Sequence, residues 1–364
     1  MTEPTITEQA LTMRMQHIRQ LLYAKNHSLA IDLGTRVVTD AEALLGLDHP
    51  GTQFARNQLA TAYRSAGKLE AAIALLEAVV ASRISTLGAV HHETLISRYE
   101  LAYAYRRAGR LAPAIQQREQ LVADHLDVYG AEHHHTLAQQ HDLAGTYREA
   151  GRFDEAIALF ESVCAAKGRI IGPTDPSTMT SRGNLGHAYL AAGRHAEAIA
   201  TFESVCVDRA EHPDLDDDHP ETLSARNNLA VAYYAANRLD EAIPLLERVC
   251  ADLTEHLGAD HPNTLSSRDN LAAAYGSAGR VDESVALHEE ILAAFLRVLG
   301  EDHPDTLMAR NNFAGACEKA GRLDMAAALH TINLAQRVRV LGDDHPETAT
   351  TRASLARVEE AGRD

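Results

Sequence analysis

Asp260-His261-Pro262-Asn263-Thr264 is one copy of a phrase that the chain repeats. It stands again at Asp48-His49-Pro50-Gly51-Thr52, Asp218-His219-Pro220-Glu221-Thr222, Asp302-His303-Pro304-Asp305-Thr306 and Asp344-His345-Pro346-Glu347-Thr348. Degenerate copies end at Thr94, Thr136 and Thr178. Successive threonines lie 42, 42, 42, 44, 42, 42 and 42 residues apart. A fixed period of about 20–50 residues belongs to stacked repeats, where each unit covers the apolar face of its neighbour.

The copy from Thr264 to Pro304 shows what is repeated. Leu271, Ala272 and Tyr275 share one helical face. Ala278-Gly279-Arg280 then reads as a helix stop, with Gly supplying a left-handed turn. A second apolar face follows in Val285, Leu287, Ile291 and Leu292, closed by Leu299-Gly300. Asp302-His303-Pro304 restarts the cycle. Proline suits the first helical turn, where its missing N–H has no partner to lose, and Asp or His before it can cap. The expected fold is an all-α solenoid. Residues 1–51 form a divergent first unit whose turn is Lys25-Asn26. Residues 52–347 form seven tandem units of 42–44 residues, and 348–364 a polar capping helix.

Composition agrees. Hydrophobic residues make up 45%, but aromatics only 5%, with no Trp. Short side chains suit closely packed helices. A formal charge of −17 repels phosphate backbones, so neither nucleic acid nor a membrane is an expected partner. No apolar run spans a bilayer, and Met1-Thr2-Glu3-Pro4 lacks the basic and apolar parts of a leader, so a cytoplasmic protein is expected. Cys164, Cys206 and Cys250 occupy one repeat position, read as buried small hydrophobes. Packed helices stand about 8–10 Å apart, too far for a disulfide between equivalent positions.

These residues carry a resemblance. The spacing of Leu271, Ala272, Tyr275, Gly279, then Ala242 and Leu246 of the preceding unit, resembles the tetratricopeptide repeat. The 42-residue wording resembles its kinesin light chain variety. The resemblance implies a right-handed superhelix whose first helices line a concave groove holding an extended peptide or partner segment. It implies that asparagines on the first helices clamp the ligand backbone, since one amide offers donor and acceptor. They map to Asn184, Asn228, Asn270 and Asn312, with Asn57, Asn227 and Asn311 one position earlier. Gln58, Glu100 and Asp142 replace them in the early units.

Two further columns follow the period. Arg64, Arg106 and Arg148 lie 42 residues apart on the same helical face. Three guanidiniums there suit acidic groups on a ligand, or a solvated ion-pair face with Glu100, Asp142 and Glu149. Tyr99, Tyr103 and His141 stand among them as candidates to pack an apolar anchor. Arg14, Arg56, Arg98, Arg182, Arg226, Arg268, Arg310 and Arg352 open the first helices and read as structural, pairing with acids of adjacent loops.

Most of the 20 histidines belong to the repeated turn and read as caps rather than metal ligands. No phosphate-binding loop or nucleophile elbow is present. The acidic insertion ending at Asp218 reads as a surface loop. The expected function is a non-catalytic scaffold without cofactor, holding a peptide or protein segment, with self-association through the second helices open. The alternatives are a regulatory sensor of a peptide or small ligand acting on an effector, and a biosynthetic accessory protein or enzyme using the groove as a cavity.

Overall fold

The structure, a computed structural model, describes residues 8–210 and 219–363. The acidic insertion at 211–218 and the leader reading at residues 1–4 lie outside the described residues. Among the described residues there are seventeen α-helices and no strand. They are α1 (Glu8–Tyr23), α2 (His27–Leu45), α3 (Pro50–Ser65), α4 (Leu69–Leu87), α5 (His92–Arg107), α6 (Leu111–Tyr129), α7 (His134–Glu149) and α8 (Phe153–Ile170). Then follow α9 (Pro176–Ala191), α10 (His195–Ala210), α11 (Pro220–Ala235), α12 (Leu239–Leu257), α13 (Pro262–Ser277), α14 (Val281–Leu299), α15 (Pro304–Lys319), α16 (Leu323–Leu341) and α17 (Pro346–Ala361). Consecutive helices pack on one another from α1 to α8 and again from α10 to α17, the pattern of an all-α solenoid. Two compact units are distinguished, Met1–Asn184 and Leu185–Asp364.

The repeated phrase is a set of backbone locks. His49, His91, His133, His219, His261, His303 and His345 each accept, through Nδ1, the N–H two residues on, at 3.1–3.3 Å. Each thereby caps its helix. Asp175 does this at α9, accepting from Ser177 N–H at 2.8 Å. The threonine that follows is buried in every copy. In six copies its hydroxyl reaches back to the end of the preceding helix, as Thr52 Oγ1 does to the Gly46 carbonyl at 2.7 Å and Thr136 Oγ1 to that of His125 at 3.1 Å; the buried hydroxyls of Thr178 and Thr222 have no such partner among the described residues.

The two glycine positions differ in kind. The turn within a unit needs only the left-handed region, and Lys25 (φ 56°) and Asn237 (φ 57°) occupy it in place of glycine. The loop between units has φ 95°, ψ 159° at Gly88, a region closed to residues with a Cβ. Gly46, Gly130, Gly258, Gly300 and Gly342 share it.

The tyrosine and arginine of the repeat form a further lock. The hydroxyls of Tyr105, Tyr147, Tyr233 and Tyr275 donate to Glu77, Glu119, Glu203 and Glu247 at 2.5–2.8 Å. Arg110, Arg152, Arg238 and Arg280, the last residues of the turns, lie over the same rings at 4.0–5.0 Å. Burial, followed by the glutamate bond, pushes these phenols up to about 12. Where a partner is seen, the arginines opening the first helices meet second helices more than loops. Arg14 pairs with Asp40, Arg56 with Glu42, Arg98 with Asp124, Arg268 with Glu290, and Arg310 with Gln336. Arg352 meets the loop residue Asp343. Cys250 is buried, with Sγ 3.3 Å from Ser267 Oγ, while Cys164 and Cys206 are half-buried; burial raises both of these thiols to about 11.

One packing contact is unlike its counterparts. Ala60, Ala102, Ala144, Ala230, Ala272 and Ala314 occupy the position that Gly186 holds in α9. A Cβ on Gly186 would stand 2.6, 2.7 and 2.9 Å from three ring carbons of Phe202. Ala144 and Phe160 share this register in the preceding unit, so the ring can sit beside a Cβ once it turns, and Gly186→Ala is expected to destabilise the protein by about 1 kcal/mol through overpacking, despite the better helix former. Chemical denaturation checks this. Adding Phe202→Leu should restore the midpoint, because Leu76 and Leu246 hold the ring's position beside Ala60 and Ala230.

Candidate functional site

The candidate clamp residues lie mid-way along the first helices, half-buried, and the structure ties most of them to the adjacent repeat. Asn270 Nδ2 donates to Asn227 Oδ1 at 3.3 Å. Asn312 Nδ2 donates to Asp269 at 3.1 and 3.2 Å. Asn184 Nδ2 lies 3.0 Å from His141 Nε2. The Tyr99 hydroxyl bonds Asp142 in the same register. Each pair joins residue i to i+43, so the two neighbouring columns read one another across the repeat junction. An asparagine that spends one N–H this way keeps its second N–H and its carbonyl. Asn227 and Asn228 also line a cleft, and Asn311 is half-buried on α15.

His141 is held from both ends. Its Nε2 accepts from Asn184, which leaves Nδ1–H to face Ser181 Oγ at 3.2 Å. Ser181 Oγ also accepts from Lys167 Nζ at 2.9 Å. Burial, reinforced by the Lys167 ammonium, pushes the His141 imidazole below its ordinary value, and burial lowers Lys167 as well. His141 is thus a neutral joint between α7 and α9.

Arg64 and Arg106 are already paired. Arg64 NH1 is 2.6 Å from Glu100 Oε2, and Arg106 NH1 2.8 Å from Glu149 Oε1. Both guanidiniums flank the Tyr103 ring, at 4.7 and 5.3 Å. Arg148 forms no ion pair among the described residues, and its buried Nε has no hydrogen-bond partner. Among the three, Arg148 is the one without an ion pair among the described residues.

A cleft recurs between successive first helices, near the end where they begin. Between α3 and α5 it has a volume of about 460 Å3 and is lined by Pro50, Gln53, Phe54, Arg83 and Glu93. Between α5 and α7 it is about 310 Å3, lined by His92, Ile96, Tyr99, His125, His135 and Asp142 among others. Between α11 and α13 it is about 230 Å3, lined by Ser224, Asn227, Asn228, Leu253, Asn263 and Ser266. The three share repeat positions, so the cleft is a property of the repeat and its lining a property of the unit. Sequence reasoning found Tyr99, Asn227 and Asn228. It missed the loop-proximal lining (His92, His125, His135), whose signal was the departure of those positions from the repeat.

Models of the tetratricopeptide repeat match residues 53–127, 93–168, 140–206 and 263–331, and a second such model matches 222–263. Together these cover more than half of the chain. The chain belongs to the tetratricopeptide repeat family. Its repeats are of the kinesin light chain type. A crystal structure of putative kinesin light chain nearly identical TPR-like repeats from Podosopora anserina is 35% identical, covering 56% of this chain and 95% of its own, with a TM-score of 0.51. A tetratricopeptide repeat protein from Parabacteroides merdae shares the fold at 13% identity (84% and 98% covered, TM-score 0.56). So does the apo form of the quorum sensor NprR from B. thuringiensis, at 11% (90% and 87%, 0.57). No curated protein matches the chain significantly. Among the described residues of this tetratricopeptide repeat protein, no helix is long and apolar enough to cross a membrane. Nor is any group of three or more His, Cys, Asp or Glu placed to hold a metal ion.

Proposed function

We propose that this tetratricopeptide repeat protein is a binding scaffold whose first helices hold an extended segment of a protein or peptide partner. One observation carries the reading: the same cleft opens between first helices in both units, and in the second it is lined by amides and hydroxyls alone at its polar edge. Asn227 and Asn228 would engage the backbone of the segment, because an amide matches a peptide group in both senses. Asn270 and Asn312 extend this face with the N–H and carbonyl groups their junction bonds leave over, with Asn311 beside them, and Asn184 offers the same groups in the first unit. Arg148 would take an acidic group of the ligand, with Arg64 and Arg106 contributing only if Glu100 and Glu149 give way.

The probe is a peptide selected from a random display library on the full chain. Asn227→Ala with Asn228→Ala is expected to weaken that peptide at least tenfold while the helical circular dichroism stays unchanged. Undiminished binding by the folded variant contradicts the clamp.

A further inference from the structure

The seam between a second helix and the following first helix is closed by a cation in several units. Arg83 NH1 donates to the Glu93 carbonyl and to Ser97 Oγ, both at 2.7 Å. Lys167 Nζ reaches Ser177 Oγ at 2.8 Å and Ser181 Oγ at 2.9 Å. Arg337 NH1 donates to the Glu347 carbonyl at 2.9 Å and Thr351 Oγ1 at 2.8 Å. Arg209 pairs with Glu221 at 2.6 Å. Leu253 and Phe295 fill the position in two other units.

At α6 and α7 the position is His125, and it does not do this work. Its Nδ1 lies 2.7 Å from the Leu121 carbonyl of its own helix. A carbonyl only accepts, so Nδ1 carries the proton and Nε2 is an acceptor. The equivalent of Ser97 is Gln139, whose Oε1 is buried with no hydrogen-bond partner. Both residues line the cleft of about 310 Å3 between α5 and α7. This seam lacks the cation and leaves its acceptor without a donor; at Leu253, the equivalent Ser267 Oγ is taken by Cys250 Sγ at 3.3 Å. Tyr99 and Tyr129 also line the cleft; the Arg118 guanidinium lies over the Tyr99 ring at 5.5 Å, and Tyr129 is stacked on His133 at 4.8 Å and meets His135 edge-on at 5.6 Å.

We propose that this cleft takes a basic side chain, lysine or arginine, of a bound peptide, which supplies the cation that the protein supplies to itself elsewhere. Gln139 Oε1 and His125 Nε2 accept from it, and the Tyr99 and Tyr129 rings line the same cleft around its stem. Asp142, on the same wall, is already engaged by Arg118 NH1 at 3.1 Å and by Tyr99, so it orients rather than neutralises. The excess of acids over bases in the chain favours the approach of a cation. The inference rests on the peptide-binding reading and names one residue class the ligand must contain.

The cleft is ringed by polar and charged groups. The groups around it are His92 and Tyr99 from α5, Arg118, His125 and Tyr129 from α6, Glu132 and His133 from the loop, and His134, His135 and Asp142 from α7. Arg118 and Asp142 offset one another. Burial, followed by the adjacent imidazoles, holds His135 below its ordinary value.

The test titrates Nα-acetyl-lysine N-methylamide into the full chain and reads the histidine imidazole NMR signals at pH 7.5. A saturable shift of the His92, His125 and His135 signals is expected, at least tenfold weaker for the norleucine analogue, which lacks the ammonium; in a variant without His125 the other two report. His125→Arg with Gln139→Ser copies the Arg83–Ser97 seam and should fold, as circular dichroism would verify; it should also lose the lysine response at least tenfold. Equal binding of norleucine, no saturable shift, or an undiminished response of the folded double variant overturns the proposal. Loss of the lysine response while the selected peptide still depends on Asn227 and Asn228 removes this inference and leaves the binding reading standing.

Discussion

Replacing Asp142 by alanine is expected to cost the fold about 3 kcal/mol, because it strands a buried guanidinium. Arg118 is only 2% exposed, the largest side chain so deeply buried. Its column elsewhere holds Leu76, Phe160, Phe202, Leu246, His288 and His330. Asp142 Oδ2 stands 3.1 Å from NH1, but off hydrogen-bonding geometry, and Nε has no partner at all. The pairing is therefore chiefly Coulombic, with the Tyr99 ring 5.5 Å from the guanidinium. Removing both charges with Arg118→Leu and Asp142→Ala should return stability to the wild-type level or above it, since Leu already fills this position in other units. A double-mutant cycle followed by urea unfolding measures the coupling. Additive losses would show that Arg118 is satisfied by something other than Asp142.

Asn333→Val is expected to stabilise the protein, by about 1–3 kcal/mol, the cost of burying an unpaired amide. Asn333 is fully buried, and neither its Oδ1 nor its Nδ2 has a partner. The same position holds Val79, Leu121, Val163, Val205, Val249 and Ile291, all buried. Valine fits the volume that the repeat provides there and presents nothing to satisfy. The readout is the unfolding midpoint of the full chain, with Asn333→Ala as a control for side-chain volume. A valine variant less stable than the parent would mean that the amide is engaged in solution.

The period made the architecture readable, because Thr52 and its counterparts are buried locks and Gly88 and its counterparts hold a backbone region that no other residue enters. A lock that cannot vary leaves a signal in one chain without any comparison. The lysine at position 25 and the asparagine at 237 show the converse: a left-handed turn tolerates other residues, so the turn glycine is a softer mark. The asparagine column was legible as a column, but its partners were not. Asn270 and Asn227 belong to different repeats, and reading them together requires the rise between neighbouring hairpins to place i beside i+43. The pairings of Arg64 with Glu100 and of Arg106 with Glu149 also join neighbouring repeats, at i+36 and i+43. The His125 cleft was hidden for another reason. It is defined by what His125 fails to reach, and a missing hydrogen bond has no sequence pattern until the seams around Arg83, Lys167 and Arg337 are seen to make it.

The central claim is that partners bind along the first helices. The most direct measurement selects a binding peptide from a random library on the full chain and maps it by photo-crosslinking. The probes stand at Asn228 on a first helix and at Arg248 on the exposed side of a second. Crosslinks from Asn228 and none from Arg248 are the expected result; crosslinks from Arg248 alone would contradict the account.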